Sequence, residues 1–221
     1  MVLPRYLRPG WPGARRLARV AGVAAVVGFD LDLTLVDSRP GIAAVWRRLA
    51  AETGVAIDVA LVCGRLGPPL ADEMAAWFPA DEVPAAVDRY RALYPHHAVD
   101  ISPAMPGAAE ALAAVRGAGG RVVVVTAKRA GLAALHLAHL GLAADAVVGD
   151  RFGPGKTAAI RAQGVEVYVG DHPADMASAR AAGVPGVGVT TGSHDAAALT
   201  GAGAAAVLDG LGALPAWLAR G

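Results

Sequence analysis

The sequence predicts an α/β protein: a Rossmann-like parallel sheet with helices on both faces, plus an all-helical cap inserted after the first strand. Three observations carry this. Short, continuous apolar runs rich in β-branched residues recur along the 221-residue chain. Segments of helical period separate them, and strands buried on both faces read as unbroken apolar runs because crossover helices cover them. The gap between the first strand and the second is also long, about ninety residues, far beyond a usual crossover. That gap holds helical patterns and no convincing strand.

Taken in order, the first strand is expected over 23–29 and ends in Asp30-Leu31-Asp32-Leu33-Thr34. Three helical patterns follow: Ile42, Val45 and Leu49; Leu70, Met74 and Trp77; Val83, Val87 and Tyr90. The glycines and prolines of 64–69 separate the first two, and Pro95 with the proline-rich run 102–107 closes the insert. The remaining strands are expected over 121–126, 146–149, 165–170, 186–189 and 205–208. Helices are expected over 108–116 (Leu112 and Val115 inward), 130–140 (Leu132 and Leu135 inward), 157–163 and 174–182, the last closed by Gly183. The resulting division is a basic tail over 1–20, expected to be disordered, an α/β core over 21–38 and 105–221, and a helical cap over 39–104. One core with a small accessory unit suits this length.

A net charge of +1 gives no pull toward nucleic acid or an anionic membrane, and neither partner is expected. With Cys63 as the single cysteine, no internal disulfide can form, and a reducing, cytoplasmic setting is the natural reading. Cys63 has no base or helix start beside it and reads as a small hydrophobe. Arg5, Arg8, Arg15, Arg16 and Arg19 precede the apolar stretch 20–29, which imitates a signal peptide. That stretch runs straight into Asp30 without a small-residue cleavage site, and it is too short to span a bilayer. A tail followed by a core strand is the expectation, and removing residues 1–19 is expected to leave activity nearly unchanged.

The chemistry concentrates at the carboxyl ends of the expected strands, where open parallel sheets bind their ligands. Asp30 and Asp32 end the first strand, pointing the same way because side chains repeat every second residue. A buried strand has no structural use for two acids at its tip, since unpaired carboxylates are expensive to desolvate. Thr126 ends the run 122–125, Lys156 opens a helix, and Asp171 follows the fourth strand with Asp175 four residues later. Together they read as a phosphoryl-transfer site. Asp30, Asp171 and a backbone carbonyl offer the hard oxygen ligands that Mg²⁺ prefers. Lys156 adds positive charge, and the Thr126 hydroxyl donates to a phosphoryl oxygen. Asp30 is the expected nucleophile, and Asp32 the acid and base.

These residues resemble a known family. Asp30-Leu31-Asp32-Leu33-Thr34, Thr126, Lys156 and Gly170-Asp171-His172-Pro173-Ala174-Asp175 are similar, in order, to the four motifs of the haloacid dehalogenase superfamily of aspartate-nucleophile hydrolases. The resemblance covers roughly residues 23 to 210. With Gly67-Pro68-Pro69-Leu70 in the insert and Pro106-Gly107 at its return, the chain is similar to phosphoglycolate-phosphatase-like members with a small helical cap. It implies Asp30 as nucleophile and metal ligand, Asp32 as acid/base and metal ligand through its carbonyl, Asp171 as metal ligand, and Asp175 as metal support directly or through water. Family members often carry Asn after the second-motif hydroxyl; here Ala127 follows, and Lys128 next to it reads equally as a substrate contact or a surface lysine.

Gly155-Lys156-Thr157 invites a phosphate-binding loop, but the required earlier glycine is Asp150. His96, His97, His136 and His139 suggest metal spacing, yet His136 and His139 lack partner ligands and are expected at the solvent or core edge. His172 is expected to orient its loop. Arg65, Trp46 and Tyr90 are candidate substrate contacts for which core packing is the plain alternative. The expected function is a Mg²⁺-dependent phosphatase acting on a small phosphorylated metabolite through an aspartyl-phosphate, as a monomer or homodimer. The alternatives are a phosphomutase of a sugar phosphate, or a non-catalytic phosphate-binding partner protein.

Overall fold

A computed structural model describes residues 25–219. The expected tail over 1–20, and positions 23 and 24 of the first expected strand, lie outside them. Six parallel strands form one sheet: β1 (Val26–Phe29), β2 (Arg121–Val125), β3 (Ala146–Val148), β4 (Val167–Gly170), β5 (Gly186–Val189) and β6 (Ala206–Leu208), in the order β3-β2-β1-β4-β5-β6. All six expected strands are present, each within two residues at either end where described. Register aligns Gly28 with Val123 on one side and with Tyr168 on the other.

Both faces of the sheet are covered. Alternate residues Val27, Phe29, Val122, Val124, Val167 and Val169 pack against α5 (Ala108–Gly117), α6 (Ala130–His139) and α10 (Leu214–Leu218). The intervening residues Val123, Val125 and Tyr168 pack against α7 (Pro154–Ala162) and α8 (Pro173–Ala182), with α9 (Ala196–Gly201) beyond. Gly28 faces this second side because nothing larger fits: a Cβ there would lie 2.7 Å from the Tyr168 ring and 2.9 Å from Val165.

The chain between β1 and α5 holds four helices: α1 (Arg39–Thr53), α2 (Val59–Gly64), α3 (Leu70–Met74) and α4 (Val83–His97). Three match the expected patterns. The short α2 was not expected; Asp58 caps it by accepting from Leu61 N at 3.0 Å, and only Val62 of its six residues is buried, too little to leave a periodic signal. The helix α4 runs through Pro95 to His97, since a proline in the final turn forfeits only one backbone bond. These helices surround their own apolar cluster, with Val45, Trp46, Leu49, Met74 and Tyr94 at its centre. The chain leaves and re-enters the sheet at one place. Val36 bridges Ala104, and Asp37 N and Met105 N donate to Pro103 O and Leu35 O, each at 2.9 Å.

One helix turns differently from its expected face. In α6 the buried residues are Ala133, His136 and Leu137, while Leu135 is 43% exposed and Leu132 packs toward the insert's cluster. His136 is fully buried, which corrects its expected place at the solvent or core edge; its Nε2 lies 3.0 Å from the Tyr94 hydroxyl. His96, His97 and His139 are exposed. Among the described residues, no helix is long and apolar enough to cross a membrane.

Candidate active site

The strand order reverses at β1: the chain proceeds outward through β2 and β3, then returns to place β4 on β1's other flank. The crevice beyond the carboxyl ends at such a switch point is where ligands bind in open α/β sheets. Asp30 emerges there from β1, Thr126 from β2 and Asp171 from β4. The first turns of α7 and α8 bring Lys156 and Asp175 to the same place.

Local structure sets each group. After Asp32 the backbone turns sharply, with Leu33 at φ 60°, the left-handed region that costs a side-chain-bearing residue roughly 1–2 kcal/mol. The turn delivers Thr34, whose hydroxyl donates to Asp171 Oδ1 at 2.8 Å. Asp175 occupies the third position of α8, where its Oδ2 accepts from His172 N at 3.2 Å while the His172 ring accepts from Ala174 N at 3.0 Å. This reciprocal cap satisfies free amides of the helix start, and it gives His172 the expected loop-orienting place. Gly170 permits the approach, because a Cβ there would stand 2.4 Å from Asp175 Oδ2.

Lys156 is buried between two carboxylates, with Nζ 2.6 Å from Asp175 Oδ1 and 3.1 Å from Asp30 Oδ1. Burial alone would lower its pKa, but Asp175 and Asp30 outweigh that and hold it well above the ordinary lysine value. For Asp30 the balance goes the other way. Burial pushes it up, Lys156 pulls it down, and Asp175 and Asp32 push it up again, leaving it at about 7. Asp171 is raised well above the carboxylate range by burial and by Asp175 and Asp30. Asp32 is burdened by burial too, but the ammonium of Lys128 bonds its Oδ1 and holds its pKa below the ordinary value.

Asp30, Asp171 and Asp175 can together hold a metal ion: each offers an oxygen, and these atoms all lie within 4.8 Å of one another. Three carboxylates facing one ammonium carry two uncompensated negative charges when ionised, and the donors are all oxygen, so a hard divalent cation fits the set. The Asp32 carboxylate is not in that group; it is turned to Lys128.

A cavity of about 240 Å³ opens over the cluster. Asp30, Asp32, Thr126, Lys128 and Asp171 line it from the sheet, and Trp46, Arg65, Tyr90 and Tyr94 from the insert, while Lys156 and Asp175 sit behind the wall. The structure thus brings all six expected site residues to one rim and adds three contacts that sequence reasoning missed. These are the pairing of Lys128 with Asp32, the Thr34–Asp171 bond, and the Tyr94 ring 4.8 Å from Lys128 Nζ. The spacing of Lys128, two residues past Thr126, was the available signal for the first. Nothing local in the sequence signals Tyr94.

The family model for haloacid dehalogenase-like hydrolases matches residues 27–180, and a second, HAD-hydrolase-like model matches 156–214. A phosphoglycolate phosphatase of Caulobacter vibrioides is 33% identical over 189 residues, covering 76% of this chain and 80% of that protein. A phosphoglycolate phosphatase of Rhodospirillum rubrum is 34% identical over 215 residues, covering 86% and 89%. Among solved structures, a predicted phosphatase from Clostridium acetobutylicum superposes with a TM-score of 0.77 at 25% identity, covering 90% of this chain and 99% of that one. The fold is thus that of a sheet-rim hydrolase. The chain belongs to the haloacid dehalogenase-like hydrolase family, on its phosphatase side.

Proposed function

We propose that the protein is a Mg²⁺-dependent phosphatase that hydrolyses a small phosphomonoester through an aspartyl-phosphate on Asp30. The carrying observation is the division of labour between two carboxylates of one turn: Asp30 sits in the three-carboxylate cluster, and Asp32 is held out of it by Lys128. Asp30, Asp171 and Asp175 would hold Mg²⁺, with the Asp32 carbonyl as a further oxygen. Such an ion offsets repulsion between an anionic nucleophile and an anionic phosphate and draws charge from the phosphoryl oxygens.

In the first half, Asp30 attacks phosphorus, forming an acyl phosphate as the ester P–O bond breaks, and Asp32 gives its proton to the departing oxygen. Asp32 is left as the carboxylate, the form that Lys128 favours. In the second half Asp32 takes a proton from water, which attacks the same phosphorus and returns Asp30 free. Thr126 donates to a nonbridging oxygen, and Lys156 fixes Asp30 and Asp175 in place. The helices of residues 39–104 act as a cap whose aromatic face closes the cavity and selects the leaving group. The two curated relatives described above are named phosphoglycolate phosphatases, which makes phosphoglycolate the first substrate to try.

The test is a panel of metabolite phosphomonoesters assayed with Mg²⁺ and with excess chelator, on the native protein and on Asp30→Asn. Turnover is expected with Mg²⁺, lost in chelator, and reduced by at least ~10³-fold in Asp30→Asn with the circular dichroism spectrum unchanged. Retained activity in that variant would remove Asp30 as nucleophile, and a strict requirement for a sugar bisphosphate would reassign the protein as a mutase.

A further inference from the structure

We propose that Lys128 reads an anionic substituent on the leaving group, so that the site selects phosphomonoesters carrying a carboxylate close to the ester oxygen. This rests on the phosphatase reading above and adds to it a specificity-determining residue.

The Lys128 side chain is only 6% exposed, its ammonium engages one oxygen of Asp32, and it lies 4.8 Å from the Tyr94 ring centroid. Burying an ammonium is costly, and here it is compensated by a single carboxylate oxygen and a ring face. An ammonium has three N–H donors, so it can keep Asp32 and still donate to a ligand in the cavity that it lines.

Position supplies the rest. Asp32 is the group that hands a proton to the departing oxygen, so the ester oxygen sits against it. A cation bonded to that same carboxylate faces the atoms next along the leaving group. Of the other cations at the cavity, Arg129 and Arg151 line it from exposed positions, where water screens them, and the remaining three are held by carboxylates. Lys156 is locked between Asp30 and Asp175. Arg65 gives two hydrogen bonds to Glu73, at 2.8 and 2.7 Å, from a side chain 42% exposed. Arg91 lies 3.6 Å from Asp150.

If Lys128 served only to neutralise Asp32, losing it would weaken hydrolysis of every ester alike. Reading of a substrate anion predicts selective loss instead. The experiment measures kcat/KM of the full-length enzyme with Mg²⁺ for 2-phosphoglycolate and for 2-hydroxyethyl phosphate, which has the same chain length without the carboxylate. The native enzyme is expected to prefer the carboxylate ester on the order of ten- to a hundredfold, the worth of one charge-assisted hydrogen bond. In Lys128→Gln the ratio is expected to fall to near unity, chiefly through KM for the carboxylate ester, and Lys128→Arg is expected to restore part of it. A native ratio near one overturns the proposal without recourse to any variant, as does a Lys128→Gln ratio as large as the native one. Assay of p-nitrophenyl phosphate separates the two readings. Its turnover alongside a native ratio near one removes the proposal alone, whereas no turnover of any of the three esters removes the phosphatase reading with it.

Discussion

Asp30 and Asp32 stand one residue apart and yet differ in electrostatic condition. Asp30 shares its surroundings with two other carboxylates and one lysine, and is pushed up to about 7; Asp32 has an ammonium to itself and is held low. Two carboxyls with pKa values driven apart are fitted to separate tasks; here the raised one is the proposed nucleophile, so the cation that Asp30, Asp171 and Asp175 would hold is what would return Asp30 to its carboxylate. The cluster is also braced from outside. Thr34 is fully buried and spends its hydroxyl proton on Asp171, fixing the orientation of a proposed metal ligand. Residues that orient ligands in this way change metal affinity by about 10- to 100-fold when lost. Thr34→Val keeps the shape and removes the bond, so the Mg²⁺ concentration for half-maximal activity is expected to rise about tenfold, with Thr34→Ser near native. An unchanged Mg²⁺ dependence in Thr34→Val would leave the hydroxyl a purely structural role.

At the scale of elements, what joins the insert to the sheet is a row of rings. Trp46 and Tyr90 have centroids 5.4 Å apart, Tyr90 and Tyr94 5.7 Å, and Tyr94 and His136 5.6 Å. The row ends on α6, whose three leucines, Leu132, Leu135 and Leu137, do not share one face, so leucine spacing alone does not fix which side is buried. The helix is instead turned to seat a histidine, and apolar periodicity carries no information about a polar residue buried by a partner 42 positions away in sequence. The strands were legible for the opposite reason: each is apolar on both faces, and their ends are marked by the carboxylates and hydroxyl of the rim. Burial lowers the His136 pKa to about 4. A histidine kept neutral when folded contributes stability that is full above its ordinary value of 6.5 and is lost as pH falls from there toward 4. His136→Gln can keep a bond to Tyr94 without titrating. The melting temperature of the native protein minus that of the variant is therefore expected to decrease as pH is lowered from 7 to 4.5. A constant difference across that range would show that His136 does not titrate against the fold.

At the scale of the whole molecule, the site exists only because the fold is complete. Asp30, Lys156, Asp171 and Asp175 come from β1, α7, the end of β4 and α8, and are separated by as many as 145 positions in sequence. Their order along the chain was readable as a set of rim residues, whereas their mutual electrostatics was not, since each raised carboxyl owes its shift first to burial and then to neighbours both near and remote in sequence. The balance has a thermodynamic consequence. Without a cation, a carboxyl raised in the folded state contributes stability that is full below its unfolded value, near 3.8, and is lost as pH rises through the folded value, about 7 for Asp30. Asp171, also raised, acts in the same direction. A divalent cation needs the ionised carboxylates and has no assembled site in the unfolded chain, so its binding stabilises the fold, and more so once protons no longer compete. The increase in melting temperature on adding Mg²⁺ is therefore expected to be small at pH 5 and larger at pH 8. With the ion at a hundred times its dissociation constant, about 2.7 kcal/mol of stabilisation corresponds to roughly 5–10 °C for a chain of this size. Asp171→Asn is expected to shrink that increase at pH 8. An increase equal at both pH values, or one that survives Asp171→Asn intact, would place the cation somewhere other than the three-carboxylate cluster.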